Sequence, residues 1–225
     1  MKLYAGPLSL FSAKVRVALD EKGLAFDEVS VGWSLQNRYE PHHPDVAALN
    51  PKGQVPVLVD GDVVVYDSTQ IFEYLEDRSP EPPLYPRDAG GRARCRRLEA
   101  AADELLFPSV WSLIEEAFYP AGAAGRDDTR LERARAALVG QYVGLDKELT
   151  GRAWLCHEFS VADIATFILV QAASSIGAAP TAEHGALRAW TSRMLARPAV
   201  SREVDAMNRF AARTLAARTT DRPAR

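Results

Sequence analysis

The chain has 225 residues, 47% of them hydrophobic, and a formal net charge of -3 at pH 7. This length and hydrophobic content are enough for one large core or two smaller ones. The near-balanced charge argues against nonspecific nucleic-acid binding as the main activity, because proteins of that class carry a clear basic excess.

The first third of the chain alternates strand-like and helix-like segments, which predicts an α/β unit. In chain order we predict a strand at 2–5, a helix at 13–22, a strand at 25–31, an irregular segment or short helix at 36–50, strands at 55–59 and 63–66, and a helix at 67–78. Asp60-Gly61 lies between two β-branched runs, which is a strong hairpin signal.

Composition changes between positions 79 and 87, where four prolines rule out a regular helix or a central strand. Almost every later segment is rich in Ala, Leu, Glu and Arg with helical period, which predicts an all-helical second domain. We predict helices at 92–119, with a bend at Pro108, and at 128–149, 161–176, 186–196 and 200–215. The predicted limits are 1–79 for the α/β domain, 80–90 for the linker and 91–225 for the helical domain.

The stretch 164–182 carries no charged residue, which raises the question of a membrane span. Polar residues and Pro180 interrupt it. A buried helix therefore explains the stretch better, and we expect no membrane partner.

The two cysteines, Cys95 and Cys156, are too few and too far apart in the sequence for a disulfide framework or a zinc site. We therefore expect reduced thiols and no metal. The N-terminus lacks the basic, apolar and small-residue pattern of a secretion signal. Together these features predict a cytoplasmic protein.

The run Ser9-Leu10-Phe11-Ser12 directly follows the first predicted strand and precedes an amphipathic helix. In small thiol-handling folds this position holds a Cys-x-x-Cys pair, whereas both ends are hydroxyls here. Serines cannot form a disulfide, but near a helix N-terminus they can donate a hydrogen bond to a thiolate from another molecule. For Ser12 the predicted role is to cap the helix.

Val55-Pro56 stands at the start of a predicted strand, where proline removes a hydrogen-bond donor from the sheet. One interpretation is a turn with a cis bond that leaves the backbone of Val55 free to pair with an extended peptide. An ordinary proline bend is the other interpretation, and the dipeptide taken alone favours it.

Asp67-Ser68 ends the hairpin and begins a helix. One interpretation is a helix cap in which Asp67 and Gln70 form a pair like a capping box. The other is a ligand site, in which backbone N–H groups and the Ser68 hydroxyl hold a carboxylate and Asp67 faces an ammonium group. The two interpretations are compatible.

These motifs occur in a recognisable order: the serine after the first strand, NPKGQVP at 50–56 and YDS at 66–68. With the Pro-rich linker and a helical second domain, the whole chain resembles the cytosolic glutathione transferase family of the serine type. The resemblance implies a thioredoxin-like α/β N-terminal domain followed by an all-α C-terminal domain. FSVADI at 159–164 resembles the buried capping box of that family, which implies a structural role for Asp163.

The resemblance also implies glutathione as co-substrate and a set of binding residues, namely Ser9, His42, Gln54, Val55, Asp67 and Ser68. Ser9 matches the hydroxyl that bonds the glutathione sulfur and is the implied catalytic residue. Gln54 and backbone Val55 match the groups that hold the cysteinyl and glycyl portions. Asp67 and Ser68 match those that hold the γ-glutamyl end.

His42 falls where some plant-type members of the family have a lysine near the glycyl carboxylate. His43 is an equally available neighbour. An ordinary surface histidine is the alternative interpretation for both.

The resemblance further implies a small hydrophobic electrophile as the second substrate, bound between the two domains. Candidate pocket residues are Phe11, Ser12, Trp33, Phe107, Trp111, Glu115 and Tyr119. Aromatic residues at helical spacing are more often part of a core, which is the alternative for this set.

Several functions remain open within the resemblance. Conjugation, dehalogenation and ether cleavage all start with thiolate attack on carbon. The Ser-Ser-Cys turn of the maleylacetoacetate isomerase branch is absent, which disfavours a cis-trans isomerase. The reductive branches of the family have a cysteine at the position that Ser9 occupies here, which disfavours a reductive function. A noncatalytic binding or scaffold protein is the rival from another class. Family resemblance also implies a homodimer, and the richness in Ala and Arg is typical of GC-rich genomes, in which the cellular thiol need not be glutathione.

Overall fold

The computed structural model describes residues 1–40, 42–118 and 127–220. By its internal contacts the chain divides into two compact units, Met1–Ser79 with Pro198–Arg225 (unit 1) and Pro80–Arg197 (unit 2). The C-terminal helix thus groups with unit 1, whereas the predicted helical domain ran to residue 225. The limits of the domains and of the linker stay a prediction.

The elements alternate at first and are helical afterwards. The strands are β1 (Lys2–Ala5), β2 (Asp27–Ser30), β3 (Val57–Asp60) and β4 (Val63–Tyr66). The helices are α1 (Leu10–Glu21), α2 (Pro44–Leu49), α3 (Ser68–Arg78), α4 (Ala89–Ala101), α5 (Phe107–Phe118), α6 (Asp128–Leu149), α7 (Val161–Ser175), α8 (Gly185–Leu195) and α9 (Pro198–Thr220).

Unit 1 contains a mixed four-stranded sheet in the order β2-β1-β3-β4. β1 runs parallel to β2 and antiparallel to β3, which in turn pairs antiparallel with β4. Tyr4 lies opposite Val57, and Val57 lies opposite Tyr66. The C-terminal ends of β1 and β4 and the N-terminal end of β3 therefore lie at the same end of the sheet, which we call the site edge.

The predicted hairpin is confirmed, because Asp60 pairs with Val63 and a tight turn joins the two strands. Gly61 occupies that turn with φ of +60°, a conformation that a residue without Cβ adopts at little cost. β2 is shorter than predicted, and the irregular segment before position 50 contains the short helix α2.

Ion pairs fix α1, whose N-terminus lies at the site edge. The ammonium of Lys22 is buried and contacts Glu76 of α3 at 2.7 Å. Arg16 bonds Glu28 at 2.7 Å and Glu203 of α9 at 3.0 Å. α1 packs against both α3 and α9, so these contacts tie three helices of unit 1 together.

Unit 2 is helical, as predicted, but its first long helix is interrupted. A π-helical turn at Ala102–Leu106 separates α4 from α5. Phe107 donates its N–H to the carbonyl of Ala102, and Pro108 follows directly. Proline has no N–H to donate and its ring collides with the carbonyl four residues earlier, so the regular bonding pattern breaks just before it.

The helix α7 is the centre of unit 2 and is buried along nearly its whole length. Its N-terminus carries the predicted capping box, in which the N-cap is Ser160 and the Asp163 carboxylate accepts the N–H of that serine. The same carboxylate accepts the indole N–H of Trp190 at 2.8 Å and the backbone N–H of Leu155 at 3.0 Å. Asp163 therefore joins three segments of unit 2, which supports the structural role that the resemblance implied.

Within the described ranges, no helix is long and apolar enough to cross a bilayer. The same residues contain no group of three or more His, Cys, Asp or Glu side chains arranged to hold a metal ion. Cys95 and Cys156 are free and buried.

Candidate functional site

Ser9 lies at the N-terminus of α1, directly beyond the site edge of β1. Its Oγ accepts the backbone N–H of Ser12 at 3.1 Å, so Ser9 is the N-cap of the helix. This bond uses a lone pair and leaves the hydroxyl hydrogen for another acceptor. A side chain in this position can accept from its own helix and donate to a ligand anion at the same time.

Ser12 does not cap the helix, and that prediction is wrong. Its side chain is fully buried, and its Oγ accepts the backbone N–H of Gly6 at 3.2 Å. A Cβ at Gly6 would lie 2.4 Å from the hydroxyl oxygen of Tyr39, so a larger residue there requires the Tyr39 ring to move. Ser12 therefore fixes the turn that presents Ser9.

The bond between Val55 and Pro56 is cis, so the interpretation as a cis turn is correct and the ordinary proline bend is not. Asn50 holds the preceding turn, since its side-chain amide donates to the carbonyl of Gln54 at 2.7 Å and its Oδ1 accepts the N–H of Lys52 at 3.0 Å. Sequence reasoning missed this residue, although asparagine before a Pro-Lys-Gly run is a known turn initiator.

Asp67 lies between β4 and α3 with φ of +66°, which is unusual for a residue with a side chain. It makes no side-chain cap bond, so the predicted pairing with Gln70 is wrong. Its carboxylate instead contacts the ammonium of Lys52 at 2.6 Å. Ser68 is buried at the first position of α3, and the first turn of that helix contains no acidic residue.

The ion pair between Lys52 and Asp67 was not foreseen, because the two residues come from different turns. Their side chains are 53% and 41% exposed. An ion pair this exposed contributes about 0–1 kcal/mol, because water screens it and both side chains lose freedom. A ligand ammonium can therefore replace Lys52 beside Asp67 at little cost.

The two histidines differ in their surroundings. His43 caps α2 by accepting the N–H of Asp45 at 3.3 Å, and its ring lies 5.7 Å from that of Tyr4. His42 is exposed, contacts Glu40 at 3.1 Å and lies against Gly53, whose added Cβ would be 3.1 Å from its Nδ1. His42 is thus the histidine beside the Gln54 and Val55 segment.

The pocket candidates in unit 1 are partly buried aromatic residues. The Lys14 ammonium lies 4.8 Å from the centre of the Phe11 ring. Trp33 meets Phe210 of α9 edge-on, with 5.9 Å between ring centres. Both aromatic side chains keep some exposed surface.

The described candidates in unit 2 lie on α5. Phe107 and Trp111 stack with 5.8 Å between ring centres. Glu115 contacts Arg130 of α6 at 3.1 Å. Tyr119 lies outside the residues that the structure describes.

The site edge therefore gathers three segments that lie far apart in the sequence. Ser9 follows β1, Val55 and its cis prolyl bond precede β3, and Asp67-Ser68 follow β4. Together they offer a hydroxyl donor, the backbone of Val55 and a helix N-terminus beside a carboxylate. An extended peptide that carries a thiol, a carboxylate and an ammonium group matches this set of groups.

Two family models match the chain. "Glutathione S-transferase, N-terminal domain" matches residues 3–83, and "Glutathione S-transferase, C-terminal domain" matches residues 110–198. FtsZ-localized protein A of Caulobacter vibrioides is 31% identical over 206 residues, which cover 87% of this chain and 87% of that protein. The chain belongs to the glutathione S-transferase family.

Other relatives of this transferase-family protein carry different names. A stringent starvation protein A homolog of Coxiella burnetii is 40% identical over 118 residues, 52% of each chain, so the protein spans about half the length of that relative. Maleylacetoacetate isomerase of Pseudomonas aeruginosa is 34% identical over 161 residues, 69% of this chain and 72% of the isomerase.

Solved structures agree with the family membership. A glutathione S-transferase from Rhodospirillum rubrum has a TM-score of 0.77 at 30% identity, over 88% of this chain and 89% of that one. The β-etherase LigF of Sphingobium has a TM-score of 0.76 at 29% identity, over 91% of this chain and 98% of that one. A glutathione transferase from Methylobacillus flagellatus with glutathione bound has a TM-score of 0.76 at 27% identity, over 90% of this chain and 98% of that one.

The family and the fold class predicted from the ordered motifs are thus confirmed. The protein has the thioredoxin-like α/β domain and the helical domain of its family. Glutathione-bound structures exist among its homologues.

Proposed function

We propose that the protein binds glutathione at the site edge of unit 1 and activates the glutathione thiol for attack on an apolar electrophile. The observation that carries the proposal is the position of Ser9, which caps α1 through its oxygen and keeps its hydroxyl hydrogen for a ligand. The confirmed family and the glutathione-bound homologues support the choice of thiol.

Activation in this proposal is a matter of thiol acidity. A cysteine thiol has a pKa of about 8.5, and only its thiolate is a good nucleophile. The Ser9 hydroxyl donates a hydrogen bond to the sulfur, and the N-terminus of α1 adds a positive dipole end. Lowering the thiol pKa by about two units requires about 2.7 kcal/mol, which such groups can supply together. Ser9 keeps its own proton throughout.

The rest of the site holds the peptide. The backbone of Val55 pairs with the cysteinyl portion, and Gln54 lies beside it. The γ-glutamyl carboxylate accepts hydrogen bonds from the N–H groups at the N-terminus of α3 and from the Ser68 hydroxyl. The γ-glutamyl ammonium takes the place of Lys52 beside the Asp67 carboxylate. His42 lies next to Gly53, in reach of the glycyl end.

The electrophile is the least defined part of the proposal. Within unit 1 we assign its contacts to Phe11 and Trp33, whereas Ser12 is fully buried and its oxygen is used by Gly6. Phe107, Trp111 and Tyr119 stay predicted members of the set. Conjugation, dehalogenation and ether cleavage fit this chemistry, and a structural relative is named as a β-etherase. The Pseudomonas relative keeps cis-trans isomerisation as an alternative.

A second candidate is a binding or scaffold protein without catalysis. Two relatives, the stringent starvation protein A homolog and FtsZ-localized protein A, carry names that refer to no transfer reaction. In that case the proposed binding residues of unit 1 would still bind glutathione, but no reaction would follow. For both candidate functions we propose a homodimer in the cytoplasm.

The test separates binding from thiol activation. We expect the protein to bind glutathione and S-methylglutathione, and to conjugate glutathione to a nitro-activated aryl chloride. Ser9→Ala should reduce kcat/KM about 10- to 100-fold, because a hydrogen bond to a charged group contributes about 1.5–3 kcal/mol. It should leave S-methylglutathione binding nearly unchanged, since a thioether has no thiolate to stabilise. The thiolate absorbance of bound glutathione should titrate at higher pH in the variant.

The matched control is Ser192→Ala, which removes an exposed serine of α8 and should leave each of these quantities unchanged. Binding without turnover in the wild type would favour the scaffold candidate. No binding of either ligand would refute the proposed site itself.

A further inference from the structure

The turn between β1 and α1, which carries Ser9, is held by a residue two helical turns further along α1. The carbonyl of Gly6 accepts the backbone N–H of Ser9 at 3.3 Å and the Nη2 of Arg16 at 3.1 Å. The first of these bonds is longer than most bonds of its type. The N–H of Gly6 donates to Ser12 on the other side of the same residue. Arg16 and Ser9 thus share one acceptor, and Arg16 supplies the closer donor.

The guanidinium of Arg16 is itself fixed from two directions. Its Nε and Nη2 bond the two carboxylate oxygens of Glu28 in β2, at 2.7 and 3.1 Å. Its Nη1 bonds Glu203 of α9 at 3.0 Å, and the side chains of Arg16 and Glu203 are only 14% and 8% exposed. A two-pronged pair fixes the plane of a guanidinium as well as its position. Arg16 therefore cannot turn away from the Gly6 carbonyl without breaking charge-assisted bonds.

The charge of Arg16 is offset where it lies. Two carboxylates, those of Glu28 and Glu203, are in direct contact with the guanidinium. A cation that is paired in this way adds little positive potential to a neighbouring anion. The contribution that Arg16 can make to a bound thiolate is therefore geometric, through the bond to the Gly6 carbonyl.

The bond to Glu203 also brings the far end of the chain to this turn. Glu203 lies near the start of α9 and is 187 residues away from Arg16 in the sequence. Both residues belong to unit 1. No residue of α9 is among the proposed glutathione contacts, so the helix acts on the site only through such links.

We propose that Arg16 is a positioning residue for thiol activation. It holds the Gly6 carbonyl and thereby the Ser9 hydroxyl, and Glu203 couples α9 to the same turn. This inference rests on the proposed role of Ser9 in glutathione activation. A donor that stabilises charge must be held close to its productive position, which is what the two ion pairs of Arg16 provide.

Arg16→Lys tests the proposal, because lysine keeps the charge but lacks the planar fork. With the Ser9 donor less well placed, the pKa of bound glutathione should rise by about 0.5–1 unit, and kcat/KM below that pKa should fall about 3- to 10-fold. Binding of S-methylglutathione should stay within about 2-fold of the wild type, because a thioether has no thiolate to stabilise. An equal loss of binding for both ligands would overturn the proposal, since it would indicate general damage to the site.

A double-mutant cycle with Ser9→Ala tests whether Arg16 acts through the hydroxyl. Without that hydroxyl there is nothing for Arg16 to position, so adding Arg16→Lys to Ser9→Ala should change the thiol pKa and kcat/KM very little. Effects that add in full would contradict the proposal, because independent roles are additive.

Variants of Glu203 test the link to α9 and leave Arg16 in place. Glu203→Ala should raise the thiol pKa in the same direction as Arg16→Lys but by less, since Glu28 still holds the guanidinium. Glu203→Gln keeps an oxygen for Nη1 and should restore most of the wild-type value. Equal values for Glu203→Ala and the wild type would refute the role of α9. If circular dichroism shows that Arg16→Lys is unfolded, this pair of variants decides the proposal.

The matched control is Arg202→Lys, which alters an exposed ion pair between the same two helices, with Asp20. It should leave the thiol pKa and kcat/KM within about 2-fold of the wild type. Wild-type protein that binds neither ligand would refute the proposed function and this inference with it. Wild type and Ser9→Ala that behave as expected, beside an Arg16→Lys variant identical to the wild type, would refute the positioning role alone.

Discussion

A serine hydroxyl has one hydrogen and two lone pairs, and its surroundings decide which of them remains for a ligand. Ser12 is buried and its oxygen accepts the N–H of Gly6, so it serves the turn. Ser9 accepts the N–H of Ser12, and its hydrogen is not used in that bond. Two chemically identical side chains in one run thus differ in what they can offer a substrate.

At the residue scale the strongest prediction concerns Asp163 and pH. Burial raises its pKa to about 6, although hydrogen bonds from Leu155, Trp190 and Ser160 act to lower it. The unfolded value is about 4, so the folded state binds the proton more tightly. The stability that this gives is complete below about pH 4 and is lost as pH rises to about 6. The loss amounts to about 3 kcal/mol.

The comparison with Asp163→Asn isolates this effect, because asparagine does not titrate. Urea unfolding between pH 4 and 7 should show the wild type losing stability relative to the variant by about 3 kcal/mol. A gap that stays constant or widens with pH would contradict the assignment. Asp146→Asn is the control, since its carboxylate is partly exposed and accepts a bond from Leu187 that an amide oxygen can also accept.

At the element scale, unit 1 depends on how α1 is held. The helix packs against α3 and α9, and its charged residues bond to both of them. Burial raises the pKa of Glu203, while the charge of Arg16 opposes that rise. Such contacts determine where the N-terminus of α1, and therefore Ser9, lies relative to the sheet.

The buried pair of Lys22 and Glu76 gives a testable prediction for this packing. Glu76→Leu leaves a buried ammonium without its carboxylate and should lower the free energy of unfolding by about 3–5 kcal/mol. Adding Lys22→Met should restore most of that loss, because the unpaired charge is then gone. Urea unfolding of the two single variants and the double variant measures the coupling between the residues.

An exposed ion pair on the same helix provides the control. Arg202 of α9 bonds Asp20 of α1 at 3.0 Å with both side chains well exposed. Arg202→Ala should change the free energy of unfolding by less than about 1 kcal/mol. If the buried pair showed no more coupling than this one, the proposed anchoring of α1 to α3 would be wrong.

At the scale of the whole molecule, the family is settled and the substrate is the question. A ligand that binds only the folded state raises its stability by about 2.7 kcal/mol at 100 times the dissociation constant. We therefore expect glutathione to raise the melting temperature of the protein, and other low-molecular-weight thiols without a γ-glutamyl group to raise it less. Thermal unfolding with a panel of thiols measures this directly.

A variant at the proposed binding site of the γ-glutamyl ammonium provides the control for that panel. Asp67→Asn should reduce the shift caused by glutathione, since the amide no longer pairs with the ligand ammonium. A larger shift from another thiol would identify that compound as the physiological partner. A panel without any shift would contradict thiol binding by unit 1.

Much of the fold and part of the site were predictable because they depend on local chemistry. Asp60-Gly61 specifies a tight turn, and the residues around Ser160 specify a capping box within one helical turn. The ordered motifs were sufficient to identify the family.

What the sequence by itself determined, then, is the order of the elements, the family and the candidate thiol partner Ser9. Only the tertiary structure decided which side chains meet across long separations, as with Lys52 and Asp67 or Lys22 and Glu76. The physical reason is that caps and turns are made by neighbours in the chain, whereas these ion pairs depend on how separate elements pack. No spacing rule along the sequence encodes that packing.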